Sequence, residues 1–361
     1  MTDREYGFWL NNIEGIGWTY IKRLLDEFGD AKEIYYANKE QLSKVKGIKE
    51  KNIISIENSR DCTNIKRKMD ILKDRNINFT LRKEKNYPKK LAEIYNPPWI
   101  LYYRGNLPDE NIPTIAIIGA RNCTEYGKMI ALKLSYELAE YGVQIISGMA
   151  RGIDTYAHKG TLNSSKGKTF GILGCGIDVC YPRENIDIFM KTINKGGIIS
   201  EYPINTSPKA GNFPMRNRII SGLSDALLVV EAKKESGSLI TVDYALEHGK
   251  EVYVIPGRVD DPLSEGCNNL IKMGAKVATS VEDILEDFFD INLNKIRCNN
   301  EKMLSEEEKK VYKCLSVSPK HINEIICETK QSLSSIIRIL YDLEEKEMII
   351  QSRNNCYSKL K

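Results

Sequence analysis

The chain has no run of about 18 apolar residues, so no ordinary helical membrane span is expected. Its opening, Met1-Thr2-Asp3-Arg4-Glu5, is charged and lacks the apolar centre of a secretory signal, so the expected location is cytoplasmic. Histidine is scarce, with only His158, His248 and His321. The nine cysteines, an odd number, nowhere take the CxxC spacing of a zinc or redox site. No Cys/His metal centre is expected, and the thiols read as reduced. Neither sign of charge dominates: a net +4 and a pI near 8.4 fall short of the value above about 9 that marks a dedicated basic domain. A polyanion would have to be held by local clusters. The glycine fingerprint GxGxxG of a dinucleotide site is also missing, so no cofactor is expected.

What is present divides into segments. At 361 residues, two or three domains each have room for a core. Residues 1–65 read as a small helical domain with glycine turns, Ile13-Glu14-Gly15-Ile16-Gly17 and Val45-Lys46-Gly47-Ile48-Lys49, each leading into an amphipathic helix. Such turns resemble the helix-hairpin-helix, which offers backbone N–H groups to a DNA phosphate, and they also occur in plain helical scaffolds. Residues 66–110 are a basic connector with Lys66-Arg67-Lys68 and Lys89-Lys90. Within it, Pro97-Pro98 precede an apolar run suited to an edge strand.

Within 66–290 the pattern becomes strand–helix alternation from Thr114 onward. Six short apolar, β-branched runs begin near Thr114, Val143, Thr169, Gly197, Ala226 and Glu251, with an amphipathic stretch Met129–Tyr141 between the first two. The pattern predicts an α/β fold: an extended Rossmann-like core with a parallel sheet and helices on both faces. Residues 291–302 read as a linker. Residues 303–361 carry three helical patterns and a two-strand ending, the order of a winged helix, a module that contacts either DNA or protein.

In such a sheet ligands bind beyond the carboxyl ends of the strands, so the following loops carry the information. After the first strand come Gly119-Ala120-Arg121 and a Thr124 helix cap; Arg121 reads as a phosphate contact or as the partner of a structural carboxylate. After the second, Ser147-Gly148-Met149-Ala150-Arg151-Gly152-Ile153-Asp154 combines small residues for close anion approach with the charge of Arg151. His158 lies one turn beyond Asp154, a spacing that is more often structural than catalytic. Further on, Lys209 precedes Phe213-Pro214-Met215-Arg216-Asn217-Arg218. There Phe213 reads as a stacking platform for a base or as core, and Arg216 as backbone-binding charge or as a buried structural pair. Ser236-Gly237-Ser238 opens a helix whose N-terminus suits an anion.

Taken in order, GAR at Arg121, SGMARGID, CGIDVCYP, FPMRNRIISGLSD, EAKKESGSLIT, ALEHGKEVYVIPG and SEGCNNLIKMGA resemble the DNA-processing protein A family, also called DprA or Smf. The resemblance covers the central domain and the three-part layout. It implies a non-enzymatic protein that binds single-stranded DNA with little sequence preference. It further implies loading of a RecA-type recombinase during natural transformation and dimerisation through the core. Carried over by position, Arg121 is the expected phosphate contact, Lys209 a basic contact and Phe213 a base contact. Arg216, Asn217 and Arg218 match the family's run, some as support for the pocket.

The more distant rival is the lysine-decarboxylase-like phosphoribohydrolase, whose PGGxGTxxE loop needs a glutamate near the sugar. Here Tyr244 stands three residues after Thr241, with Asp243 beside it, and the needed carboxylate is missing. A third reading is a protein scaffold with a vestigial pocket.

Overall fold

The computed structural model describes residues 1–288, 305–316, 320–345, 349–352 and 355–359. The expected linker 291–302, residues 303 and 304, and Met348 lie outside them. The chain divides into two compact units, Met1–Leu285 and Glu286–Lys361.

The first unit is built on a nine-stranded sheet: β1 (Asn78–Leu81), β2 (Ile100–Gly105), β3 (Thr114–Ile118), β4 (Gln144–Ser147), β5 (Thr169–Ile172), β6 (Gly196–Ser200), β7 (Ala226–Val229), β8 (Glu251–Val254) and β9 (Lys276–Val277). The spatial order is β1-β2-β6-β5-β4-β3-β7-β8-β9. From β6 to β9 every pairing is parallel, whereas β1 and β2 are added antiparallel beside β6. Strands β3 to β7 are buried along their whole length, as their continuous apolar runs require. The expected edge strand is β2, but β2 pairs with both β1 and β6, so the edge passes to β1. Pro97 and Pro98 stand just before β2 and remove no donor from either ladder.

Counting outward from β3, the chain goes through β4, β5 and β6 on one side and through β7, β8 and β9 on the other. The reversal opens a crevice at the carboxyl ends of β3 and β7, the usual ligand position of a doubly wound sheet.

The N-terminal helices do not stop at residue 65, because one of them runs Cys62–Asp74. Nor do they close a core of their own. Phe8 stacks against Phe79 of β1 with ring centroids 5.2 Å apart, and the Trp99 indole donates to the Gly7 carbonyl at 3.0 Å. Their apolar faces share one cluster with Tyr102 of β2. Each glycine turn foreseen there is real: Gly15 (φ +76°) and Gly47 (φ +82°) sit in left-handed backbone just before the helices Trp18–Phe28 and Glu50–Asn58.

The second unit has the winged-helix order. Helix Glu306–Cys314 is followed by β10 (Lys320–His321), helices Ile322–Thr329 and Leu333–Glu345, then β11 (Ile349–Ser352) and β12 (Cys356–Lys359). The strands form an antiparallel sheet β10-β12-β11 over a core including Val311, Ile325, Ile336, Leu340 and Ile349. Among the described residues no helix is long and apolar enough to cross a membrane.

Candidate nucleic-acid interface

At the reversal point lies a cleft of about 610 Å³ whose wall is drawn from the loops after β3, β4, β5, β6 and β7. Arg121 stands at its rim with an exposed side chain, and its guanidinium sits 5.6 Å from the centroid of the Phe213 ring. That is cation–π range. No carboxylate of the described residues forms an ion pair with Arg121, although its charge is felt by buried Asp154. Phe213 lies over the bare Cα of Gly174, where an added Cβ would approach the ring to 2.8 Å. Beside it is Tyr181, partly exposed, with ring centroids 5.6 Å apart. Ser236, Gly237 and Ser238, at the start of the helix Leu239–Glu247, line the same cleft, and the two hydroxyls bond each other at 2.7 Å. An added Cβ at Gly237 would meet nothing within 4 Å, so the backbone there is open to a ligand.

The floor has the opposite character. Arg216 is 4% exposed and donates to the Gly148 carbonyl at 2.6 Å, to the Ile172 carbonyl and to Asn217 Oδ1 at 3.2 Å. Asp154, also buried, accepts from the amides of Gly148 (3.1 Å) and Ala150 (3.3 Å). Burial pushes the Asp154 carboxyl above the ordinary carboxylate range, while Arg216 pulls it the other way. The same burial lowers the Arg216 pKa, but a guanidinium stays charged. These two groups balance one another beneath the ligand space.

The loops are also locked together. Glu231, at the end of β7, is buried and accepts from the Thr124 amide at 2.9 Å and from the Thr124 hydroxyl. Thr124 in turn caps the helix Glu125–Glu140 through the Gly127 amide. Gly152 (φ +72°) brings its Cα against the carbonyls of Ala120 and Arg121, where no other residue would fit.

Not every expected contact faces the cleft. Gly119, Arg121, Phe213, Arg216, Asn217, Ser236, Gly237, Ser238 and, through its neighbours Pro208 and Ala210, Lys209 gather around it. Asn217 reaches across to the Gly237 carbonyl at 3.5 Å. Three others are engaged elsewhere. The Ser147 hydroxyl is buried and donates to the Ile117 carbonyl at 2.6 Å. Arg218 is 2% exposed and bonds Glu201 at 2.6 Å on another face of its helix. Arg151 is exposed but holds Glu184 through two nitrogens, the longer contact 3.1 Å. Gly119 and Gly148 are small for another reason than anion approach: an added Cβ would strike Ile153 at one and the Arg216 and Asp154 side chains at the other. Tyr181 and Lys233 line the cleft although neither stood among the expected site residues; their places after β5 and β7 were the signal.

His158 is fully buried and has no access to the cleft. The Thr169 hydroxyl donates to the Ile145 carbonyl, so it accepts from His158 Nδ1 at 2.7 Å, and the ring is the neutral Nδ1–H form. Burial, with Arg216 nearby, depresses its pKa to about 3. The folded value lies below the ordinary 6.5, so the unfolded chain takes up the proton first. The stability His158 contributes is complete above about pH 6.5 and is lost as pH falls toward 3. Denaturant titrations across that window are expected to show H158N losing stability with acid less steeply than the parent, by up to about 1.4 kcal/mol per pH unit. Parallel slopes would mean that the imidazole is protonated in the folded state.

Among the described residues no cluster of His, Cys, Asp and Glu could hold a metal ion, and the described cysteines are free thiols.

Residues 78–289 match the family described as DNA recombination-mediator protein A. The chain is 38% identical over 291 residues to the protein Smf of Synechocystis, covering 79% of this chain and 73% of that one. It is 44% identical over 202 residues to the DNA processing protein DprA of Streptococcus pneumoniae, 56% of this chain and 71% of that one. The X-ray structure of the S. pneumoniae protein superposes with a TM-score of 0.68 at 32% identity, over 81% of this chain and 99% of that one. The Helicobacter pylori DNA processing protein A, whose structure was described for its single-stranded DNA binding mode, superposes with a TM-score of 0.52 at 31% identity, over 58% and 95%. The matched stretch starts on β1 and ends beyond β9, so it takes in the whole sheet and every loop of the cleft; the chain belongs to the DNA recombination-mediator protein A family.

Proposed function

We propose that the cleft holds the backbone and bases of a single DNA strand. On this reading the chain works without catalysis, as a cytoplasmic mediator that protects incoming strands and delivers them to a RecA-type recombinase during natural transformation. It does so as a homodimer joined through the sheet-bearing core. The observation that carries the reading is Arg121: an exposed guanidinium with no ion-pair partner among the described residues, over an aromatic ring and lining the same cleft as a helix N-terminus. Phosphate, base and backbone each find a matching group there. The chemistry of a hydrolase does not. Of the two carboxylates lining the cleft, Asp154 is committed to the Gly148 and Ala150 amides and Glu235 lies exposed at the rim. Tyr244, at the position where the phosphoribohydrolase loop needs its glutamate, stacks on His248 instead.

Binding to oligo-dT at several salt concentrations tests the reading. R121A is expected to bind more weakly, with a log–log salt slope shallower by about 0.7 for the lost phosphate contact. An unchanged affinity and slope in a folded variant would remove Arg121 from the interface. In gel shifts, single strands are expected to be retarded in preference to duplex, and added recombinase to shift the complex further. Equal retardation of both forms would count against the single-strand reading, and an unchanged complex against the recombinase partnership.

A further inference from the structure

A second cavity, of about 350 Å³, lies between the N-terminal helices and the loop after β6. Its apolar lining includes Ile71 and Ile204. Beside these, the side-chain amides of Asn11 and Asn12 reach the hydroxyl of buried Tyr102 at 3.4 and 2.8 Å, and Arg67 and Lys68 stand at the lining from the helix Cys62–Asp74. Glu14 is the one acid that lines it, so the local balance is basic. Apolar wall, amide groups and cations together are the chemistry of a nucleotide, and the volume is that of a small-ligand site.

Its placement ties it to the cleft. Asp178, after β5, bonds Arg75 at 2.9 Å and accepts from the Asn205 amide at 2.8 Å. This pins the end of the basic helix to the loops at the carboxyl edge of the sheet, where the cleft also opens. Pro203, Ile204 and Asn205 line the second cavity, and Pro208 and Ala210 of the same loop line the cleft. Three residue steps separate Asn205 from Pro208, a span of at most about 11 Å, and exposed Lys209 follows.

We propose that this cavity is a second nucleotide subsite, which takes up the same strand after it leaves the cleft and crosses Lys209. The inference rests on the cleft reading. The N-terminal helices thereby lengthen the binding track of the core. Arg67 and Lys68 supply phosphate contacts, and the apolar wall with its two asparagines takes a base.

The test compares oligo-dT of about 6 and about 20 nucleotides on the full chain. The parent is expected to bind the longer strand more tightly and with a steeper salt slope. The double variant R67E/K68E is expected to keep the short-strand affinity but lose that gain, its long-strand slope falling by up to about 1.4 for two contacts. A gain that survives in the double variant overturns the subsite. So does binding of deoxynucleoside monophosphate that R67E/K68E weakens while the length gain remains, since the cavity would then serve free nucleotide. Failure of the parent to bind the short strand at all speaks against the cleft instead, so the two readings fail separately.

Discussion

R216A is expected to destabilise the first unit by about 3–5 kcal/mol, the largest effect of any single change at the site. Arg216 is buried, and its guanidinium closes off the carbonyls of Gly148 and Ile172 at the ends of β4 and β5. Its removal leaves those carbonyls without that donor and takes from buried Asp154 the stronger of the two positive charges that act on it, Arg121 being the weaker. Denaturant unfolding followed by circular dichroism measures the loss. The double variant R216M/D154N is expected to lose less than the sum of its single changes, because the unpaired carboxylate is removed along with the cation. A loss below about 1 kcal/mol in R216A would mean that the guanidinium is free to serve a ligand. The prediction thus decides between the two roles that the sequence leaves open for this residue.

F213A is expected to weaken single-strand binding by about 1–3 kcal/mol, the worth of one stacked base, with the salt slope nearly unchanged. The ring carries no charge, so its removal releases no counterion. It does sit beneath the Arg121 guanidinium, so F213A also removes the surface on which that cation rests. F213Y supplies the control: it keeps the π face and is expected to bind like the parent. A slope that falls in F213A as far as in R121A would show that the ring acts by positioning the arginine rather than by stacking. Y181A, which removes the neighbouring ring, is expected to shift affinity in the same direction.

The runs from β3 to β8 were legible because continuous burial demands continuous apolar residues, and the site loops follow from them by topology alone. What escaped the sequence were pairings between distant positions. Arg151 looks like an anion ligand until Glu184, 33 positions away, is seen to hold it. Gly119 and Gly148 look like room for phosphate, and they are room for Ile153 and for the Arg216 and Asp154 side chains. The same smallness serves either purpose, and only the neighbour tells them apart. Arg216 and Arg218 lie two positions apart on one helix, yet one lines the cleft floor while the other bonds Glu201. A dipeptide step on a helix turns a side chain by more than a right angle, so a motif of adjacent arginines cannot present all of them to one ligand. Of the antiparallel pair, β2 was legible as the apolar run after two prolines, whereas β1 left little trace, because an added edge needs no crossover helix to announce it.

The buried Glu231 that fastens Thr124 to the end of β7, with Gly152 wedged against the Ala120 and Arg121 carbonyls, has a kinetic meaning. The loops after β3, β4 and β7 are thereby braced against one another, so this wall of the cleft is already formed before a ligand arrives. On the proposed reading, a strand meets a preformed wall, and its association rate is expected to fall with added salt as charge-steered encounter does. Residence time on the same reading is expected to shorten as salt competes for the phosphate contacts.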